Sequence, residues 1–141
     1  MNDPHNLQRF VDAQQPVYDQ ALSELRAGNK RSHWMWFVFP QIAGLGHSAM
    51  AHRYAISDRD EARAYLAHPL LGPRLNDCAQ ALLAHPDRSA RAILGSPDDL
   101  KLRSSMTLFA AVAPEQPVFQ AVLDRFYAGQ ADEATLSRLR P

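Results

Sequence analysis

Hydrophobic residues recur every three to four positions along most of the chain. The clearest run is Leu71, Leu75, Cys78 and Leu82, with spacings of four, three and four. This period is that of an amphipathic α-helix, in which one apolar stripe faces the core. The pattern predicts an all-α protein, a single multi-helical domain of about eight to ten short helices.

Capping residues precede several of these helical periods. Short polar side chains accept hydrogen bonds from the first free amides of a helix. We expect such caps at Ser48, at Ser89, at Asp132 and at either Ser57 or Asp58. The segment Ser96-Pro97-Asp98-Asp99 combines a cap, a proline and two acids, and it predicts a helix reaching about Ala113.

One apolar block departs from the helical period. Residues Trp34 to Phe39 are six consecutive large apolar side chains, and each aromatic one can bury roughly 150–250 Å². We find no second strand that could pair with this block, and a lone strand leaves its backbone unsatisfied. We therefore expect helical turns or an extended buried segment ending at Pro40, with the core formed around it.

Length and composition limit the class of protein. A chain of 141 residues with 46% hydrophobic and 21% charged content predicts one globular domain, residues 1–141. Its net charge of zero argues against duplex nucleic acid as a partner. The sequence shows no signal peptide and no long apolar run, so we expect a cytoplasmic bacterial protein without a membrane partner.

The glycine turn after the apolar block raises the question of a cofactor. Residues 44–49 match the letters of the dinucleotide fingerprint, but that motif requires a preceding strand and further strands, so we predict no cofactor. A weaker possibility is an anion site at the next helix start. Its residues would be Lys30, Arg31, Gly46, His47 and Ser48. The alternative is a plain glycine turn.

The spacings of the six histidines predict no metal site.

The helix after Pro97 carries the second set of candidate residues. Lys101, Ser104 and Ser105 share one face with Leu108, polar at first and apolar later, as in the wall of a cleft. A lysine beside hydroxyl groups can bind an anion. The alternative is that Lys101 pairs with Asp98 or is solvated while the serines fill close contacts. Cys78, on its apolar stripe, is expected in the core.

The blocks at residues 33–41, 44–46 and 98–109 resemble those of the DUF1810 family of small bacterial proteins. The resemblance runs from about Leu7 to Leu139. It implies an all-helical fold of the α–α superhelix type in a family without an established activity. Some members carry a calpastatin label, which a folded helical domain does not support, because calpastatin-like inhibition uses disordered segments.

Two functional hypotheses follow from these blocks. In the first, they line a cleft for a small anionic ligand, a nucleotide or an acidic metabolite, with Lys101 and Ser105 opening toward Trp34 or Trp36. The ligand-binding residues would be His33, Trp34, Trp36, Lys101, Ser104 and Ser105. In the second, the domain is a helical protein-interaction module and the blocks are its core. No nucleophile–base pair is evident, so no reaction or catalytic residue is assigned, and no oligomeric state is predicted.

Overall fold

The computed structural model describes residues 3–140, and every regular element in that range is an α-helix. In chain order the helices are α1 (Gln8–Gln14), α2 (Tyr18–Ala27), α3 (Met35–Val38), α4 (Ala49–Arg53), α5 (Arg59–Ala67), α6 (Leu71–Leu83), α7 (Ala90–Leu94), α8 (Asp98–Val112), α9 (Pro117–Tyr127) and α10 (Glu133–Leu139). The all-α prediction is confirmed. None of the described helices combines the length and apolar character that crossing a membrane requires.

Helix α8 lies at the centre of the domain. It packs against α5, α7, α9 and α10, while α6 packs against α2, α5 and α9. Every residue from Ser104 to Phe109 is buried, which covers all faces of the helix. A helix that is buried on all sides cannot line a solvent-filled cleft along that part of its length. The superhelix subtype stays a prediction.

The apolar block forms one helical turn, α3, rather than a strand. Trp34 before it and Phe39 after it are fully buried, and they belong to the same hydrophobic core as α8. Beyond Pro40 the chain makes an isolated bridge: the amide of Ile56 donates to the carbonyl of Gln41, and the amide of Ala43 to that of Ile56, both at 2.8 Å. These bonds satisfy an extended segment that lies outside any sheet.

Four of the predicted N-terminal caps are confirmed. The side chains of Ser48, Asp58, Ser89 and Asp132 each accept a hydrogen bond from the amide three residues ahead. Glu61 adds a second bond at the start of α5, because its carboxylate accepts from the amide of Ser57 at 2.9 Å. These short helices are therefore stabilised by side chains at their first turns.

The predicted cap at Ser96 is wrong. Helix α8 begins at Asp98, and its N-cap position is taken by Pro97, which has no side-chain acceptor. Ser96 therefore stands one position too early. The amide of Asp99, one of the two (Asp98 or Asp99) that a cap at Ser96 would bind, donates to the carbonyl of Gly95 at 3.0 Å. A backbone carbonyl here replaces the side-chain cap.

Candidate functional site

Glu24 on α2 organises the loop that leads into the apolar block. Its Oε1 accepts from the amides of Arg31 at 2.9 Å and Ser32 at 3.1 Å and from the indole of Trp34 at 2.9 Å. Its Oε2 accepts from the hydroxyl of Ser32 at 2.7 Å and the amide of Gln20 at 3.0 Å. One buried carboxylate thus fixes the loop to α2, a role that sequence reasoning missed.

The ionisation of Glu24 follows from these donors. Burial alone raises the pKa of a carboxyl group, because a charge is poorly solvated in the protein interior. Here the hydrogen bonds from the backbone of Arg31 and from Ser32, Trp34 and Gln20 outweigh burial and lower the pKa of Glu24 to about 2. Glu24 is therefore ionised, and hydrogen-bond donors surround both of its oxygens. Its role is structural: it holds the loop in place.

The two lysines of the chain converge on one carboxylate at the start of α8. The ammonium nitrogen of Lys30 lies 2.9 Å from Oδ2 of Asp98, and that of Lys101 lies 3.5 Å from Oδ1. Lys30 also donates to the carbonyl of Ser32 at 2.6 Å. The pairing of Lys101 with Asp98, one of the alternatives, is confirmed. Two positive charges therefore share one negative charge.

Each of these lysines also lies over a tryptophan ring. Lys30 Nζ is 5.0 Å from the ring centroid of Trp34, and Lys101 Nζ is 4.8 Å from that of Trp36. Of the predicted arrangement, the approach of Lys101 to Trp36 is observed, as a direct contact with the ring and not across a concave site. We call Lys30, Lys101, Asp98 and Trp36 the lysine rim. The lysine rim is partly exposed to solvent. The side chain of Lys101 is 25% exposed and that of Asp98 is 18% exposed, whereas that of Lys30 is 8% exposed.

Trp34 and Trp36 differ in access. Trp34 is fully buried, so its ring cannot receive a ligand group from solvent. Trp36 is half-buried and lines a cavity of about 20 Å³ together with Gly44, Gly46 and His52. A volume of this size holds about one water molecule. The glycine turn and the lysine rim therefore meet at Trp36, but the cavity between them is too small for a metabolite.

The serines of α8 do not open onto a cleft, so that part of the prediction is wrong. Ser105 is completely buried, and its hydroxyl has no hydrogen-bond partner. Ser104 donates to the carboxylate of Asp132 at 3.0 Å, which docks the start of α10 onto α8. The physical reason is that α8 is central, so the face expected to line a cleft is covered by another helix.

The remaining candidate residues lie on loops around the block. His33 and Arg31 are exposed beside Trp34, and His47 is exposed in the glycine turn. Ser48 already accepts the amide of Ala51 at 3.1 Å, and Lys30 is held by Asp98. Two members of the weaker anion site are thus bound to internal partners. The helix that would supply the free amides, α4, has only five residues, so its dipole is small.

Cys78 and the candidate metal ligands were the remaining residues with possible chemistry. Burial raises the pKa of Cys78 to about 12, so the thiol is protonated at neutral pH and lies in the core as expected. Within residues 3–140, no group of three or more histidine, cysteine or acidic side chains is arranged to hold a metal ion.

Fold and site define a small all-helical domain whose two sequence blocks share a core and meet at an ion-paired rim. The chain belongs to the DUF1810 family, a "protein of unknown function" family whose model matches residues 4–139. The structure is similar to that of the conserved hypothetical protein Rv1873 from Mycobacterium tuberculosis. The two share 54% identity with a TM-score of 0.96, over 97% of this chain and 98% of the other. Among curated proteins no match is found.

Proposed function

We propose that this protein binds a small anionic ligand, a nucleotide or an acidic metabolite, at the lysine rim between the His33–Gln41 and Asp98–Phe109 blocks. The observation that supports it is the sharing of Asp98 by Lys30 and Lys101. Two ammonium groups on one carboxylate leave one positive charge without a counter-charge in the cluster. An anion approaching Lys101 from solvent would supply it.

Lys101 is the group that such a ligand would contact. Its ammonium lies 3.5 Å from Asp98, long for an ion pair, and a quarter of its side chain is exposed. Lys30 is closer to Asp98 and is covered, so it holds Asp98 in place while Lys101 can exchange partners. Partly exposed ion pairs contribute little free energy, which makes this exchange inexpensive.

The tryptophan beneath Lys101 influences what the rim can bind. A nucleobase could stack on the face of Trp36 that Lys101 occupies only if Lys101 moved away, since the ammonium lies 4.8 Å from the ring centroid. The geometry thus favours recognition of the anionic group itself. The cation–π contact with Trp36 also limits the motion of the Lys101 side chain, so its ammonium group stays in one place.

The alternative, a helical interaction module, has less support. Among the described residues the exposed large hydrophobic side chain is Leu100, at 57% exposure, next to Lys101. A single exposed leucine is ordinary for a globular surface, whereas docking sites are contiguous apolar patches. No reaction is proposed, because the sequence offers no nucleophile–base pair and the hydroxyl of Ser105 is buried without a hydrogen-bond partner.

The proposal is tested by titrating ATP, pyrophosphate and citrate while following tryptophan fluorescence and calorimetric heat. We expect Lys101→Met to weaken binding by about tenfold or more, the loss of one charge-assisted contact. The matched control is Arg91→Met, an exposed cation on α7. Trp36→Phe should remove the fluorescence response, since Trp34 is sealed. Equal affinities for wild type and Lys101→Met would overturn the proposal.

A further inference from the structure

A second concave surface lies beside the glycine turn, where Arg138 is next to Gly44. It has a volume of about 380 Å³ and is formed where the start of α5 meets the end of α10. Four arginines line it, with two aspartates among them. They are Arg59, Arg63, Arg138, Arg140, Asp58 and Asp60. We call this surface the arginine cleft. Counting Glu133, which pairs with Arg140, four arginines face three acids, so one positive charge is in excess although the chain as a whole is neutral.

Two of these arginines lie against the backbone. Arg59 donates from Nε to the carbonyl of Leu139 at 3.3 Å, which links α5 to the end of α10. The guanidinium of Arg138 lies against Gly44, whose φ is +97°, and a Cβ on that residue would collide with it. Glycine is therefore required at position 44 for two reasons: its backbone conformation, and the space that the Arg138 side chain occupies.

The other two arginines have only weak partners. Arg63 is 3.7 Å from Asp60, and Arg140 is 3.9 Å from Glu133, and all four side chains are more than half exposed. Ion pairs of this kind contribute little stability and are readily exchanged. Asp58, the remaining acid, is occupied as the cap of α5, accepting the amide of Glu61 at 2.8 Å.

We propose that the arginine cleft binds a phosphate-bearing small molecule. The planar guanidinium fork matches phosphate oxygens in pairs, and arginine is the residue that suits this recognition best. The excess of positive charge fits an anionic phosphate group, and 380 Å³ falls at the lower end of small-ligand sites. This site rests on different residues from the lysine rim and stands independently of the function proposed there.

The test is an NMR titration of the protein with inorganic pyrophosphate at low salt. Amide and arginine side-chain signals of residues 58–63 and 138–140 should shift together and saturate. We expect Arg63→Gln and Arg138→Gln each to weaken binding by about tenfold or more, as for a lost charge-assisted contact. Arg91→Gln, outside the cleft, and Lys101→Met, in the lysine rim, should leave these shifts unchanged.

Three results would overturn the proposal. They are no saturable shift at millimolar pyrophosphate, unchanged affinity in both cleft variants, or loss of the response in Lys101→Met alone. The last result would assign the phosphate to the lysine rim instead. Arg63 is exposed and makes only one weak pair, so Arg63→Gln is expected to fold even if Arg138→Gln does not.

Discussion

Two carboxylates hold the loop before the apolar block, and they do so in different ways. Glu24 is buried and receives five hydrogen bonds, from two backbone amides and three side chains. Asp98 is partly exposed and receives two ammonium groups, from Lys30 and Lys101. The first carboxylate has neutral donors on both oxygens. The second lies in a cluster whose charges do not balance.

The difference separates a structural anion from a candidate binding group. A buried carboxylate whose oxygens are all paired has nothing left to offer a ligand, and removing it leaves several donors unsatisfied. A partly exposed carboxylate that holds two lysines is shared between them, and Lys101, the more exposed of the two, is held at the longer distance. Mutations should therefore affect stability at Glu24 and binding at the lysine rim.

The largest effect is expected for Glu24→Ala. It leaves the indole of Trp34 and the amides of Arg31 and Ser32 without their acceptor in a buried place. We expect a loss of about 3 kcal/mol or more in the free energy of unfolding, measured in urea. Glu115→Ala, an exposed acid, should stay within about 0.5 kcal/mol of wild type. A loss at Glu24 no larger than this control would break the contrast with Asp98.

The pH dependence of stability provides a second test of Glu24. Its pKa falls from 4.5 to about 2 on folding, so the folded state favours the anion. The resulting stabilisation, about 3 kcal/mol, is fully present above pH 4.5 and disappears as the pH falls toward 2. The stability gap between wild type and Glu24→Gln should narrow across that window. A gap that stays constant in urea titrations would show that another group is responsible.

Much of the fold could be predicted from the sequence, because helix periods and caps are local signals. Ser48, Ser89 and Asp132 were identified from their neighbours alone. The role of Ser96 was predicted wrongly, because a shift of one residue in the helix start moves the cap onto Pro97. Local patterns do not fix that register.

The candidate site could be predicted only in part. The approach of Lys101 to Trp36 followed from the need to keep a lysine near solvent beside an aromatic block. Glu24 was missed since four of its five donated hydrogen bonds come from residues seven to ten positions further along the chain, beyond the reach of a helix pattern. The burial of Ser105 depends on α8 being surrounded by other helices, which no local spacing reveals.

Lys30 and Lys101 should differ in their contribution to stability. Lys30 is 8% exposed and contacts Asp98, the carbonyl of Ser32 and the ring of Trp34. Lys30→Met should cost about 1–2 kcal/mol, the scale of a covered charge-assisted contact. Lys101→Met should cost less than about 1 kcal/mol, because its pair is longer and more exposed. Both are measured in urea, and equal losses would show that the two lysines hold Asp98 alike.

Ser105 extends the comparison to a buried polar group with no partner at all. Its hydroxyl is enclosed in α8 without an acceptor, so it makes none of the bonds that stabilise Glu24. Removing an unsatisfied buried hydroxyl relieves its desolvation cost, and alanine favours a helix more than serine does. We expect Ser105→Ala to be neutral or to stabilise the protein by up to about 1 kcal/mol, measured by urea unfolding. Ser104→Ala is the matched control, because it breaks the bond to Asp132 and should destabilise. Clear destabilisation by Ser105→Ala would mean that its hydroxyl makes a hydrogen bond. The loss of stability on mutation would then not follow the number of hydrogen bonds that each polar group makes in the structure.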